Sequence, residues 1–286
     1  MASRWKAPAE GHAWIMGVLN CTPDSFSDGG QHADTASRLA HAVRMQACGA
    51  SIIDVGGEST RPGSLPVTAD EELRRVLPVI EDLSARRIPV SIDTSKAEVM
   101  QAAIAAGACM INDVTALGGD ADALAVVAGS DVDVCLMHMR GSPESMQHRI
   151  SYTDVVDEVE SFLAARVAAC VAAGISEERI LIDPGIGFGK RLQDNLDLIV
   201  AIPRLHRLGF PVLMGVSRKS FLGELSGAEV FDRELETASA VTACVLAGAD
   251  VLRVHDVAAQ SRAIRVAVAL RSAMAAPSNP DAERLA

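Results

Sequence analysis

The sequence predicts an α/β protein, a single (β/α)8 barrel (TIM barrel), from three observations: eight short apolar runs, long helical segments between them, and a glycine-centred stop before five of the runs. Near-continuous Val- and Ile-rich runs suit strands buried on both faces, as in a parallel sheet. Glycine after a helix accepts the left-handed backbone that closes its last turn. Eight alternating units in 286 residues favour a closed barrel, with the doubly wound open sheet as the alternative on pattern alone.

The first run, Trp14 to Leu19, leads into Asn20 and a polar, glycine-rich segment. The second, Ser51 to Val55, follows the stop Cys48-Gly49-Ala50, and a capping box, Thr68-x-x-Glu71, opens the helix after it. The third, Ile88 to Ile92, is followed by Ser95-x-x-Glu98; Ser95 is the expected cap, which leaves Asp93 to face the barrel mouth. The fourth, Cys109 to Ile111, follows Ala106-Gly107-Ala108, and the fifth is Val132 to Met137. The sixth, Arg179 to Ile182, follows Ala173-Gly174-Ile175; the seventh, Phe210 to Val216, overlaps Leu208-Gly209-Phe210; the eighth, Asp250 to Val254, follows Ala247-Gly248-Ala249. Beyond Met274 the chain is polar and proline-broken, so residues 1–275 are expected to form one domain and 276–286 a disordered tail.

A net charge of −11 argues against a general binder of nucleic acid or membrane surface. Any anionic substrate must therefore meet a local cluster of positive charge. The six cysteines show no metal-ligand or paired spacing and read as reduced core residues. No segment has signal-peptide character, and none approaches the roughly 18 apolar residues of a membrane span, so a cytoplasmic location is expected.

In such a barrel the site is built at the carboxyl ends of the strands. There the sequence places Asn20, Asp54, Asp93, Asn112-Asp113, His138, Asp183, Ser217-Arg218-Lys219-Ser220, Arg253 and His255. Any one of these is ordinarily a helix cap or loop tie; polar residues at all eight ends point to a site. Asp93, Asn112 and Asp183 form an acceptor-rich set suited to a heterocycle that presents amino and ring N–H groups. Arg61, Arg253 and His255, with Asn20, offer donors to a phosphate-like group. The implied ligand joins a flat nitrogen-rich ring to a polyphosphate.

Gly185-Ile186-Gly187-Phe188-Gly189-Lys190 is not a Walker loop, because the spacing is short and Arg191 stands where Ser or Thr is needed. It reads as a flexible loop with Phe188 as an apolar wall. His138, flanked by Met137 and Met139, is read as structural. No nucleophile elbow and no zinc spacing is present.

From about Trp14 to about Val268 the sequence resembles the dihydropteroate synthases. The match rests on Asn20-Cys21-Thr22-Pro23-Asp24-Ser25-Phe26-Ser27-Asp28-Gly29-Gly30, with Cys21 where Val is usual, and on Asp54-Val55-Gly56-Gly57-Glu58-Ser59-Thr60-Arg61-Pro62-Gly63. It continues through Ser91-Ile92-Asp93-Thr94, Ile111-Asn112-Asp113, Asp183 to Lys190, Ser217-Arg218-Lys219-Ser220-Phe221 and Arg253-Val254-His255-Asp256. The resemblance implies an enzyme of folate biosynthesis that joins dihydropterin pyrophosphate to 4-aminobenzoate, the step at which sulfonamides compete. It further implies that Asp93, Asn112, Asp183 and Lys219 hold the pterin, and that Thr60, Pro62, Phe188, Lys219 and Ser220 frame the 4-aminobenzoate site. Arg61, Arg253 and His255 would bind the pyrophosphate, Asn20 would be a Mg²⁺ ligand, and the catalytic set would be Asp93, Lys219, Arg253 and His255. The loops Asp24 to Gly30 and Ser59 to Gly63 would close over the site, and a homodimer would form through Glu236 to Leu246 and Ala258 to Leu270. A pterin-dependent methyltransferase would not need the Ser217-Arg218-Lys219 run or Arg253-x-His255, and a non-catalytic paralogue would lack mouth residues that this chain retains.

Overall fold

The structure, a computed structural model, describes residues 4–6, 12–22, 31–60, 63–142, 145–146 and 150–275. The strands are β1 (Trp14–Asn20), β2 (Ile52–Gly56), β3 (Val90–Asp93), β4 (Met110–Asp113), β5 (Asp133–Met137), β6 (Ile180–Asp183), β7 (Leu213–Met214) and β8 (Val251–Val254). The helices are α1 (Gln31–Ala47), α2 (Ala69–Ala85), α3 (Ala97–Ala105), α4 (Ala123–Ala128), α5 (Val155–Ala172), α6 (Leu192–Val200), α7 (Ile202–Leu205), α8 (Ser220–Ser226), α9 (Glu234–Ala247) and α10 (Val257–Ala275). All pairings are parallel, in the order β6-β5-β4-β3-β2-β1-β8-β7. A parallel bridge between Ile182 and Val212 joins the two ends of that order and closes the barrel.

Side chains alternate across a strand, so each strand feeds two cores. Outward residues such as Ile53, Val55, Ile92, Ile111, Val134, Ile182 and Val254 belong to the large core beneath the helices. Inward residues Met16, Ile52, Met110, Cys135, Leu181, Leu213 and Val251 fill the lower barrel, and Trp5 plugs it from below. Its indole N–H donates to Asp133 Oδ2 at 2.6 Å. Two residues further along, Ile52, Met110, Leu181 and Val251 give way to Asp54, Asn112, Asp183 and Arg253, and buried Ser91 to Asp93. The period-2 geometry thus sets a polar layer directly on an apolar floor.

Several expectations are corrected. β7 spans only Leu213–Met214, because the neighbouring ladder is carried by isolated bonds such as Ile182 N–H to Pro211 O. Ser95 does not cap α3: Lys96 occupies that position without a side-chain cap bond, and Asp120 Oδ2 accepts from Ala97 N–H at 2.9 Å. Thr68 caps α2 as expected, accepting from Glu71 N–H. Of the cysteines, all free, Cys48 is exposed and Cys109 half-buried, while the other four are core. The expected tail, residues 276–286, lies outside the described residues.

Candidate active site

One pocket at the carboxyl end of the barrel is lined by Asp93, Asn112, Asp183, Phe188, Lys219 and Arg253, with Val114, Met137, Ile186 and Gly215. Six sequence-predicted residues therefore meet in one place. Asn20, Thr60, Ser220 and His255 do not line it: Asn20 ends β1, Thr60 follows β2, Ser220 opens α8 and His255 follows β8. Arg61, Pro62 and residues 23–30 lie outside the described residues, and with them all of the first expected lid loop and the middle of the second.

Arg253 organises the polar layer. Its Nε donates to Asp54 Oδ2 at 2.6 Å and its Nη2 to Asp93 Oδ2 at 2.7 Å. Asn112 Nδ2 donates to the same Asp54 oxygen at 3.0 Å, which leaves the Asn112 carbonyl oxygen as an acceptor toward the pocket. Asp54, fully buried, was placed at the barrel mouth by the sequence but given no part in binding or catalysis. Its signal was a carboxylate inside the apolar run Ile52-Ile53-Asp54-Val55. At 199 residues from Arg253, their pairing could not be read from spacing.

Burial pushes the Asp93 carboxyl up to about 7, Arg253 opposing and Asp54 adding to the rise. Burial also raises Asp183, against a hydrogen bond from Gly185 N–H and the nearby Lys219 ammonium. Burial and then Arg253 push Lys219 down to about 8. Burial disfavours charge on Arg253, but Asp54 and Asp93 outweigh it and hold the guanidinium more basic than usual. The layer thus holds three carboxylates and two cations in a largely buried site, where fixed charges act strongly.

Lys219 Nζ lies 4.0 Å from the centre of the Phe188 ring, a cation–π contact. The preceding residue, Arg218, holds a positive φ of 59°, a strained setting for a side-chain-bearing residue, fixed by bonds from its N–H to Thr237 and from Nε to Glu234. His255 Nδ1 pairs with Ser217 Oγ at 2.9 Å.

The glycine loop after β6 is not the loosely held segment the sequence suggests. A Cβ on Gly185 would sit 1.9 Å from His138 O, and one on Gly189 would sit 2.6 Å from Arg140 O, so the loop backbone packs directly on the chain after β5. His138 itself points away from the pocket onto Phe162 of α5, in keeping with a structural role. Asp113 ties the turn after β4, accepting from Thr115 and Leu117 N–H. A larger cavity of about 400 Å³ opens at the opposite end of the barrel, among Trp5, Trp14, Ile88 and Cys109. Its lining includes Arg4 and Arg87 but no carboxylate, so the paired carboxylates and cations place the chemistry at the smaller pocket.

The pterin-binding-enzyme family matches residues 16–255. The dihydropteroate synthase of Escherichia coli K12 is 43% identical over 263 residues, covering 92% of this chain and 93% of the relative. Two solved structures are similar throughout. The Xanthomonas albilineans dihydropteroate synthase with 4-aminobenzoic acid is 49% identical with a TM-score of 0.86, over 93% of this chain and 94% of that one. The Yersinia pestis dihydropteroate synthase in a sulfonamide drug complex is 44% identical with a TM-score of 0.85, over 91% and 94%.

Proposed function

The chain belongs to the dihydropteroate synthase family, and from that membership we propose how its barrel mouth carries out the reaction. It is a transferase of folate biosynthesis that condenses 6-hydroxymethyl-7,8-dihydropterin pyrophosphate with 4-aminobenzoate, giving 7,8-dihydropteroate and pyrophosphate. The observation that carries the site assignment is the convergence of Asp93, Asn112, Asp183, Lys219 and Arg253 on one pocket.

In this reading the pterin lies on the apolar floor with its N–H edge toward Asp93, Asn112 and Asp183. The Asp93 and Asp183 carboxylates favour positive charge on the ring as the carbon–oxygen bond to pyrophosphate breaks and its electron pair leaves with the pyrophosphate. Arg253, with His255 and Arg61, meets the departing charge. Ser217 holds His255 by Nδ1, so Nε2 is the atom assigned to that contact. The 4-aminobenzoate ring enters beside Phe188 and Lys219, near Thr60, Pro62 and Ser220. Its nitrogen lone pair forms the new bond, and its proton passes to pyrophosphate or water.

Mg²⁺ fits this donor set. Asn20 supplies one hard, neutral oxygen at the end of β1, and Mg²⁺ commonly completes its shell from substrate phosphates and water. When bound, it would neutralise charge developing on the leaving pyrophosphate. A homodimer through Glu236 to Leu246 and Ala258 to Leu270 is supported by the exposed apolar side chains Leu246, Val266 and Leu270 there, with Leu235 and Met274 just beyond those ranges. We also read residues 1–275 as one domain, and the enzyme as cytoplasmic, acting on small molecules without nucleic-acid or membrane partners. No described helix is long and apolar enough to cross a membrane.

The test is pyrophosphate release by the purified protein with dihydropterin pyrophosphate, 4-aminobenzoate and Mg²⁺, each omitted in turn. Turnover that needs all three is expected. Tight pterin binding without turnover would instead indicate a non-catalytic paralogue.

A further inference from the structure

Lys190 closes the glycine loop from inside the protein. Its side chain is 4% exposed, and its Nζ lies 3.0 Å from His138 Nδ1, 3.3 Å from His138 O and 3.1 Å from Phe188 O. An ammonium has three donors, and here each has a partner. Two of these partners belong to the residue that follows β5; the third is the carbonyl of the residue whose ring walls the pocket. Burying an ammonium against neutral acceptors is costly, and a Met of similar length would fill the space without that cost. The loop is tied at its other residues as well, by Gly185 N–H to Asp183 Oδ1 and Gly187 N–H to Asn195 Oδ1, both at 2.7 Å, and by Tyr152 OH to Gly189 O at 2.8 Å. What Lys190 adds is a direct hold on the Phe188 backbone, and hence on the ring beneath Lys219 Nζ.

We propose that Lys190 is a positioning residue of the arylamine subsite, fixing the Phe188 ring at the height and tilt against which the 4-aminobenzoate ring and the Lys219 ammonium pack. The proposal rests on reading the Phe188–Lys219 wall as the arylamine side of the pocket. The pterin side depends on Asp93, Asn112, Lys219 and the Asp183 carboxylate; Lys190 hydrogen-bonds none of them and reaches Asp183 only through the charge on its ammonium. Its loss therefore acts more on the arylamine than on the pterin.

The experiment is steady-state kinetics of Lys190→Met alongside calorimetric binding of dihydropterin pyrophosphate. The expected result is a KM for 4-aminobenzoate raised about tenfold, with kcat at saturating arylamine within about threefold of wild type and pterin affinity within about twofold. An unchanged KM, or an equal loss on both substrates, overturns the proposal. Should Lys190→Met not fold, His138→Leu removes the Nδ1 acceptor and the ring on Phe162 but keeps the His138 O acceptor, and the same selective rise in KM, smaller in size, is expected; an equal rise on both substrates or a rise on neither overturns the proposal. Phe188→Leu separates the two layers of inference. A raised KM there with none in Lys190→Met sinks the role of Lys190 alone, whereas no change in Phe188→Leu removes the subsite on which it rests.

Discussion

Arg253 Nη2 donates to Asp93 Oδ2 at 2.7 Å, joining the last strand of the barrel to the third across its interior. With Asp54 on Nε, the same guanidinium holds two carboxylates that would otherwise face each other in a buried layer. The arrangement is both a structural pair and half of a binding site.

Arg253→Met leaves Asp54 and Asp93 without their cation. Removing one partner of a buried pair typically costs about 3–5 kcal/mol, and removing one preorganised charge from a reacting centre costs about a hundredfold in rate or more. Urea unfolding at pH 8 is expected to show the first loss, and pyrophosphate release the second. The stability loss is expected to shrink toward pH 5, where Asp93 takes up a proton.

Pterin affinity should depend on pH through Asp93, whose carboxyl is pushed up to about 7 by burial. A ring N–H needs the ionised acceptor, so affinity is expected to fall by up to about tenfold per unit below pH 7 and to level off above it. Calorimetry with a pterin that lacks pyrophosphate keeps phosphate ionisation out of the result. Asp93→Asn is expected to bind weakly with no such slope.

Lys219 is pushed down to about 8 by burial and by Arg253, whereas an unfolded lysine titrates near 10.4. The fold therefore opposes the charged form. That penalty is full below about pH 8 and fades as the pH rises toward about 10.4. Lys219→Met is expected to unfold at a higher temperature than wild type at pH 7, with the gap narrowing by pH 10, while losing turnover. A variant less stable at pH 7 would contradict this balance.

Gly185→Ala would place a Cβ 1.9 Å from a backbone carbonyl at a φ of 71°. A loss of about 3 kcal/mol or more is expected in chemical denaturation, because neither backbone can yield without moving the Phe188 loop.

The barrel was legible because glycine stops and apolar runs are local signals, and the period of two carried Asp93, Asn112, Asp183 and Arg253 onto one inward file. What escaped the sequence was long-range. The role of Asp54 depends on Arg253, 199 residues away, and the Lys190 clamp depends on His138, 52 residues away. Ser95 had the right spacing for a cap, but Asp120 reaches the Ala97 N–H from another loop. β7 was overcalled because its flanks join the sheet only through single contacts at Pro211 and Val212 and not through a continuous ladder.

The most direct test of the central claim is a crystal structure of the protein with a dihydropterin ligand. The expected result is a ring bound at the barrel mouth, its N–H edge on Asp93, Asn112 and Asp183, beside Lys219 and Arg253. A ligand seated elsewhere, as in the cavity between Trp5 and Trp14 at the opposite end, would contradict the site described above.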